Sequence, residues 1–129
     1  MNNNSIITCG KGWEKLYERV IDRIIEFDSK QDSVEDKIGI GKIKEENGVL
    51  SFELIQPENI TYEINDLIDD VKHGSLYVCE FCGAVNDVGV TLNNSYKTCC
   101  KYCWEHFILS KTPTSIWKNK TNGKIYKIS

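Results

Sequence analysis

The sequence predicts an α+β fold, with two helices packed on a β-hairpin, then a cysteine-bearing hairpin and a short C-terminal β-hairpin. Three observations predict it. Apolar residues recur at steps of three and four over residues 13–27 and 64–71, the period of an amphipathic helix. Between these stretches the period changes to two around Asn47-Gly48, which marks paired strands. Finally, five of the six cysteines fall between Cys79 and Cys103, so that segment is organised by its thiols.

The first helix is carried by Trp13, Leu16, Tyr17, Val20, Ile21, Ile24 and Phe27, which share one face; Glu14, Glu18, Asp22, Glu26 and both arginines fall on the other. The polar stretch "SKQDSVEDK" reads as a loop. "KIGIGKIKE" and "VLSFELI" then flank Asn47-Gly48, a pair that tolerates positive φ and closes tight hairpins. Leu50, Phe52 and Leu54 alternate with Ser51 and Glu53, giving one buried and one wet face. Gly39 and Gly41 suggest a bulge in the first strand, and Pro57 ends the hairpin. The second helix is expected over Thr61–His73, with Ile64, Leu67, Ile68 and Val71 inward and Gly74 as terminator. "SLYV" is expected as a strand leading to Cys79. "DVGVTL" should pair with "SYKTC" across Asn93-Asn94, and the C-terminal stretch should form a hairpin around Asn122-Gly123.

Cys79/Cys82 and Cys100/Cys103 are two C-x-x-C pairs separated by 17 residues, the spacing of a four-thiolate zinc site. Each pair aims two thiolates at one point, and the hairpin between them folds the second pair onto the first. Such a site, a zinc ribbon spanning residues 76–106, holds one structural Zn²⁺ per chain and leaves no coordination position open. An iron–sulfur centre draws on the same donor set, whereas a thioredoxin-like redox motif wants a single C-x-x-C at a βα junction. Cys99 could enter by a register slip and His106 by its position three residues after Cys103. The preferred readings are a buried apolar thiol for Cys99 and for the solitary Cys9.

The chain suits one domain over 1–110, with 111–129 as a basic hairpin or tail. Residues 1–110 carry all 19 acids against 11 bases, and residues 111–129 carry five lysines and no acid. An acidic body argues against general nucleic-acid binding, which needs clustered bases. The opening residues show no signal-peptide pattern and no apolar run is long enough to span a bilayer, so a cytoplasmic, non-membrane protein is expected. His73 and His106 are the only histidines and sit in no evident catalytic arrangement; with no P-loop or dinucleotide fingerprint, no enzyme is expected.

"TCGKGWEKLYERVIDRI", "KIKEENGVLSFEL", "INDLIDDVKHGSLYVCEFCG" and "YKTCCKYC" together resemble a widespread family of small phage and bacterial proteins. Its members run in the same order: a Cys-Gly-x-Gly-Trp opening before a helix, a "VKEKFGGLRFY"-like hairpin, a second helix and a zinc knuckle pair. Their last ligand is commonly histidine in a "T-L-C-D-x-H" ending. The resemblance implies that Cys100 stands on the family cysteine, Cys103 on the histidine and Cys99 on the leucine. It spans about residues 8–103 and departs at Glu46-Asn47-Gly48-Val49, where the family shows Lys-Phe-Gly-Gly. It implies a phage or mobile-element setting, where small proteins bind and block host machinery.

Two binding modes follow from the charges. In the first, Glu14, Glu18, Asp22 and Glu26 with Asp66, Asp69 and Asp70 present acidic helix faces to a host or anti-phage defence complex, an anti-CRISPR-like inhibitory role. In the second, Trp117 and Tyr126, interleaved with Lys118, Lys120, Lys124 and Lys127, stack bases and neutralise phosphates.

Overall fold

The computed structural model describes residues 6–128, and these form an α+β fold with two small sheets. Strand β1 (Ile6–Ile7) runs parallel to β2 (Ile40–Glu46), which pairs antiparallel with β3 (Val49–Leu54). Asn47 and Gly48 both take positive φ, 53° and 83°, the two left-handed positions of a type I′ turn. The register slips between Ile40 and Lys42, placing the bulge at Gly41.

Helix α1 (Glu14–Ser29) follows a short 3₁₀ turn and lies against α2 (Tyr62–Ser75) and β2, while α2 lies against β3. The predicted stripe is the buried one: Trp13, Tyr17, Val20, Ile21 and Ile24 meet Ile64, Ile68 and Val71 from α2 and Ile43 and Leu50 from the hairpin. Thr61 caps α2, its hydroxyl accepting from the Ile64 amide at 3.3 Å. Asp28 fixes the loop after α1 by accepting from the amides of Ile38 and Gly39 at 2.8 and 3.0 Å.

Gly74 does not end α2. The helix continues through it to Ser75, which is buried because its hydroxyl accepts from the Leu50 amide at 3.0 Å. "SLYV" forms no strand for the same reason: its first residue belongs to the helix and the rest turns directly into the first cysteine pair.

The second sheet has the order β5-β4-β6-β7, with β4 (Val88–Thr91), β5 (Thr98–Cys100), β6 (Trp117–Asn119) and β7 (Ile125–Tyr126). The predicted cysteine hairpin is β4–β5, and the predicted C-terminal hairpin is β6–β7. Strand β6 also pairs with β4, so the C-terminal hairpin completes the cysteine-bearing sheet. Gly89 permits this closeness: a Cβ there would stand 2.4 Å from the Trp117 indole. No clear sequence period marks the helical stretch between β5 and β6, where α3 (Lys101–Cys103) passes into a π-wound turn at Trp104–Ile108.

The two sheets are tied at the hairpin tip. Thr98 donates its hydroxyl to the Gly48 carbonyl at 2.6 Å, and Lys97 meets Glu45 at 2.6 Å.

Candidate metal centre

The first C-x-x-C pair sits in a tight knuckle. The Gly83 amide donates to the Cys79 carbonyl and the Cys79 amide to the Ala84 carbonyl, both at 2.9 Å, and Gly83 turns the chain with φ of 81°. The second pair sits where β5 runs into α3: Cys100 caps that turn, the Cys103 amide pointing at its sulfur at 3.5 Å.

These knuckles bring the four sulfurs of Cys79, Cys82, Cys100 and Cys103 within 4.8 Å of one another, forming a cluster able to hold a metal ion. Cys82 and Cys100 are 3.7 Å apart, beside the roughly 3.8 Å edge of a tetrahedron built on 2.3 Å zinc–sulfur bonds. Cys79, Cys100 and Cys103 are buried and Cys82 faces solvent. Burial pushes the Cys100 and Cys103 thiols up. For Cys82 burial acts the same way, but the Ala84 amide and the surrounding thiols outweigh it and leave that thiol below its usual range.

Cys99 and His106 stand outside the cluster. The Cys99 thiol is buried and pushed up to about 12, chiefly by that burial, and it lies in the core beside Trp104 and Trp117. The His106 ring stacks on Tyr102 at 4.0 Å and its Nδ1 meets the Tyr102 carbonyl at 2.8 Å. Cys9 is half-buried near Glu80, its thiol raised to about 11 by burial first and the Glu80 charge second.

The Cys-Gly-x-Gly-Trp opening holds the first knuckle, a role that no local period reveals. The Gly12 amide donates to the Glu80 carbonyl at 2.7 Å, the Gly10 amide to Glu80 Oε2 at 3.0 Å, and Trp13 Nε1 to the Val78 carbonyl at 2.8 Å. Neither glycine has room for a side chain: a Cβ on Gly10 would stand 2.4 Å from the Glu80 carbonyl oxygen, and one on Gly12 2.1 Å from that of Cys79. The two glycines in "CGKGW" were the available signal. Glu80 itself is buried, with Oε1 lacking a hydrogen-bond partner among the described residues, and burial raises its carboxyl above the usual range.

The acidic residues are distributed as the helical period requires. Glu14, Glu18 and Asp22 form one exposed row on α1. Glu26 is engaged with Arg23 and Lys30, at 3.7 and 3.3 Å, and Asp70 with Arg19 at 3.5 Å. Asp66 and Asp69 are exposed on α2.

The C-terminal residues correct the expected stacking platform. Trp117 is fully buried, packed 5.8 Å from Trp104 and donating Nε1 to the Cys99 carbonyl at 3.0 Å, so it cannot take a base. Tyr126 leans on Trp117 and lies under the Lys101 ammonium. Lys120 is half-buried and donates to the Leu76 carbonyl; burial lowers its pKa. Lys118, Lys124 and Lys127 are exposed.

Comparison with known proteins gives no match to a family model, a curated sequence or a solved structure.

Proposed function

We propose that the chain is a non-enzymatic binding protein whose cysteine half is stapled by one structural Zn²⁺ on Cys79, Cys82, Cys100 and Cys103. The mutual approach of the four sulfurs, all within 4.8 Å, carries this reading. Sulfurs this close surround one ion rather than a multi-iron cluster, and a four-thiolate donor set suits zinc. With every position filled by protein, the ion contributes folding energy rather than a site for substrate.

The partner we propose is a host or anti-phage defence complex in the host cytoplasm, inhibited by docking. The family resemblance supports the phage setting. The row Glu14, Glu18 and Asp22 supports an electrostatic docking face. Spaced at four residues, these like charges disfavour the helix, and Glu18 is raised by desolvation, then by its hydrogen bond to Glu14 and the charges of Glu14 and Asp22. A cationic partner surface relieves that repulsion.

Metal analysis together with affinity capture tests the reading. One zinc per chain is expected, and a stoichiometric partner should be retained by the native protein and lost when Glu18 and Asp22 are both changed to lysine. A folded protein without zinc, or no partner retrieved from host lysate, counts against it.

A further inference from the structure

Charge and exposed aromatic rings are sorted between the two halves of the chain. Residues 1–80 carry 17 acids against nine bases, whereas residues 81–129 carry seven lysines and only two acids, Asp87 and Glu105. Exposed rings concentrate in the second half, with Phe81, Tyr96, Tyr102 and Phe107 all open to solvent.

Two of these rings wall a cleft of about 200 Å³. Phe81 projects from the first knuckle and Phe107 from the π-wound turn, their centroids 6.5 Å apart and their planes tilted by 48°. Among the described residues, no acid lines the cleft. Its polar groups include Asn94, Ser95 and Thr112, and exposed Lys111 stands at its edge. Lys97 also reaches it, but that ammonium is held by Glu45 at 2.6 Å, leaving Lys111 as the cleft's available charge among the described residues. The π winding that presents Phe107 is rare in proteins and recurs at functional sites.

We propose that this cleft binds a base of single-stranded nucleic acid, stacked on Phe107, the more open of the two rings, with its phosphate on Lys111. A flat π-face, amide and hydroxyl groups for the base edge and the Lys111 ammonium match a nucleotide in a strand. The cleft is too small for a duplex groove contact, and a base in a duplex is not free to enter it. The proposal goes beyond the docking role and stands on different residues, so either fails without the other.

The test is a fluorescence-anisotropy titration of the full-length, zinc-loaded protein with labelled oligothymidylate, oligouridylate and a DNA duplex at low salt. Saturable binding of a single strand, tighter than to the duplex, is expected; the DNA and RNA arms decide which strand is the ligand. Phe107→Leu keeps the apolar bulk and removes the π-face, and should weaken binding about fivefold or more, while Phe107→Tyr restores it. Lys111→Ala should reduce the slope of log K against log salt by about 0.7. Both positions are exposed, so zinc content and melting temperature should stay unchanged. The Glu18 and Asp22 reversals should not weaken strand binding. Absence of single-strand binding up to about 100 µM protein at low salt overturns the proposal. So does equal binding of the duplex, or a Phe107→Leu variant that binds like the native chain, which would leave the cleft as an apolar peptide site.

Discussion

Gly12 and Glu80 meet where the N-terminal loop grips the first knuckle, and each makes a separate prediction. A methyl group on Gly12 collides with backbone, 2.1 Å from the Cys79 carbonyl oxygen, so no side-chain rotation relieves it. Gly12→Ala should cost about 1–3 kcal/mol in a denaturant titration, and, if the cluster holds the proposed ion, it should weaken metal retention because the displaced residue, Cys79, belongs to that cluster. Glu80 behaves differently, since one carboxylate oxygen accepts from Gly10 while the other has no partner among the described residues. Its folded pKa is raised, mainly by burial. The native state therefore holds the proton more tightly than the unfolded chain, and stability falls as pH rises from the unfolded pKa through the raised folded one. Glu80→Gln keeps the acceptor for Gly10 and removes the titration. It should be more stable than the native chain at neutral pH, by about 1 kcal/mol, with the difference vanishing at pH below both pKa values. Thermal melts of both proteins across pH check the sign; a variant less stable at neutral pH would contradict it.

Among elements, the β4–β5 hairpin separates two adjacent cysteines by direction alone. Cys100 points its sulfur at the cluster and Cys99 enters the core beside Trp117. Cys100→Ser should lose the metal and with it the cysteine half of the fold, whereas Cys99→Ala should retain stoichiometric metal and lose only a small core contact. Metal content and circular dichroism distinguish them. The spacing of the cysteines made this division legible beforehand, as the 3.6-residue period did for α1 and α2 and Asn47-Gly48 did for the first hairpin. All three are local signals. The pairing of β6 with β4 is not local, and a lysine-rich strand containing Trp117 reads equally well as an exposed aromatic platform. In the fold, Trp117 and Asn119 point inward and Lys118 outward, an alternation whose buried side depends on a strand almost 30 residues earlier. The grip of Gly10 and Gly12 on Glu80 spans about 70 residues and leaves no local period for the same reason. Removing residues 111–129 should therefore destabilise the protein rather than merely shed a tail, because Trp104 and the cysteine cluster lose their cover. Deletion of a buried tryptophan alone costs about 3–5 kcal/mol, and a truncated chain that melts with the full-length one would refute this.

At the scale of the molecule, a helical core centred on Trp13 and a smaller core of cysteines and tryptophans are joined through the Glu80 knuckle and the Gly48–Thr98 contact. The acidic charge lies with the first core and the excess of lysine with the second. Such separation lets one end be steered electrostatically without involving the other. Glu18 and Asp22 lie on the solvent face of α1, opposite the buried Val20, Ile21 and Ile24, so reversing both to lysine should leave the fold and its metal intact. If the acidic row meets a cationic partner, the reversal should slow association more than it speeds dissociation, because long-range attraction acts before contact forms. Raising salt on the native protein should act in the same direction, since exposed charges are screened beyond about 8 Å at physiological ionic strength. Surface plasmon resonance against the captured partner reads both effects. An association rate indifferent to salt and to the reversal would place the docking face elsewhere, even with zinc bound at the four cysteines.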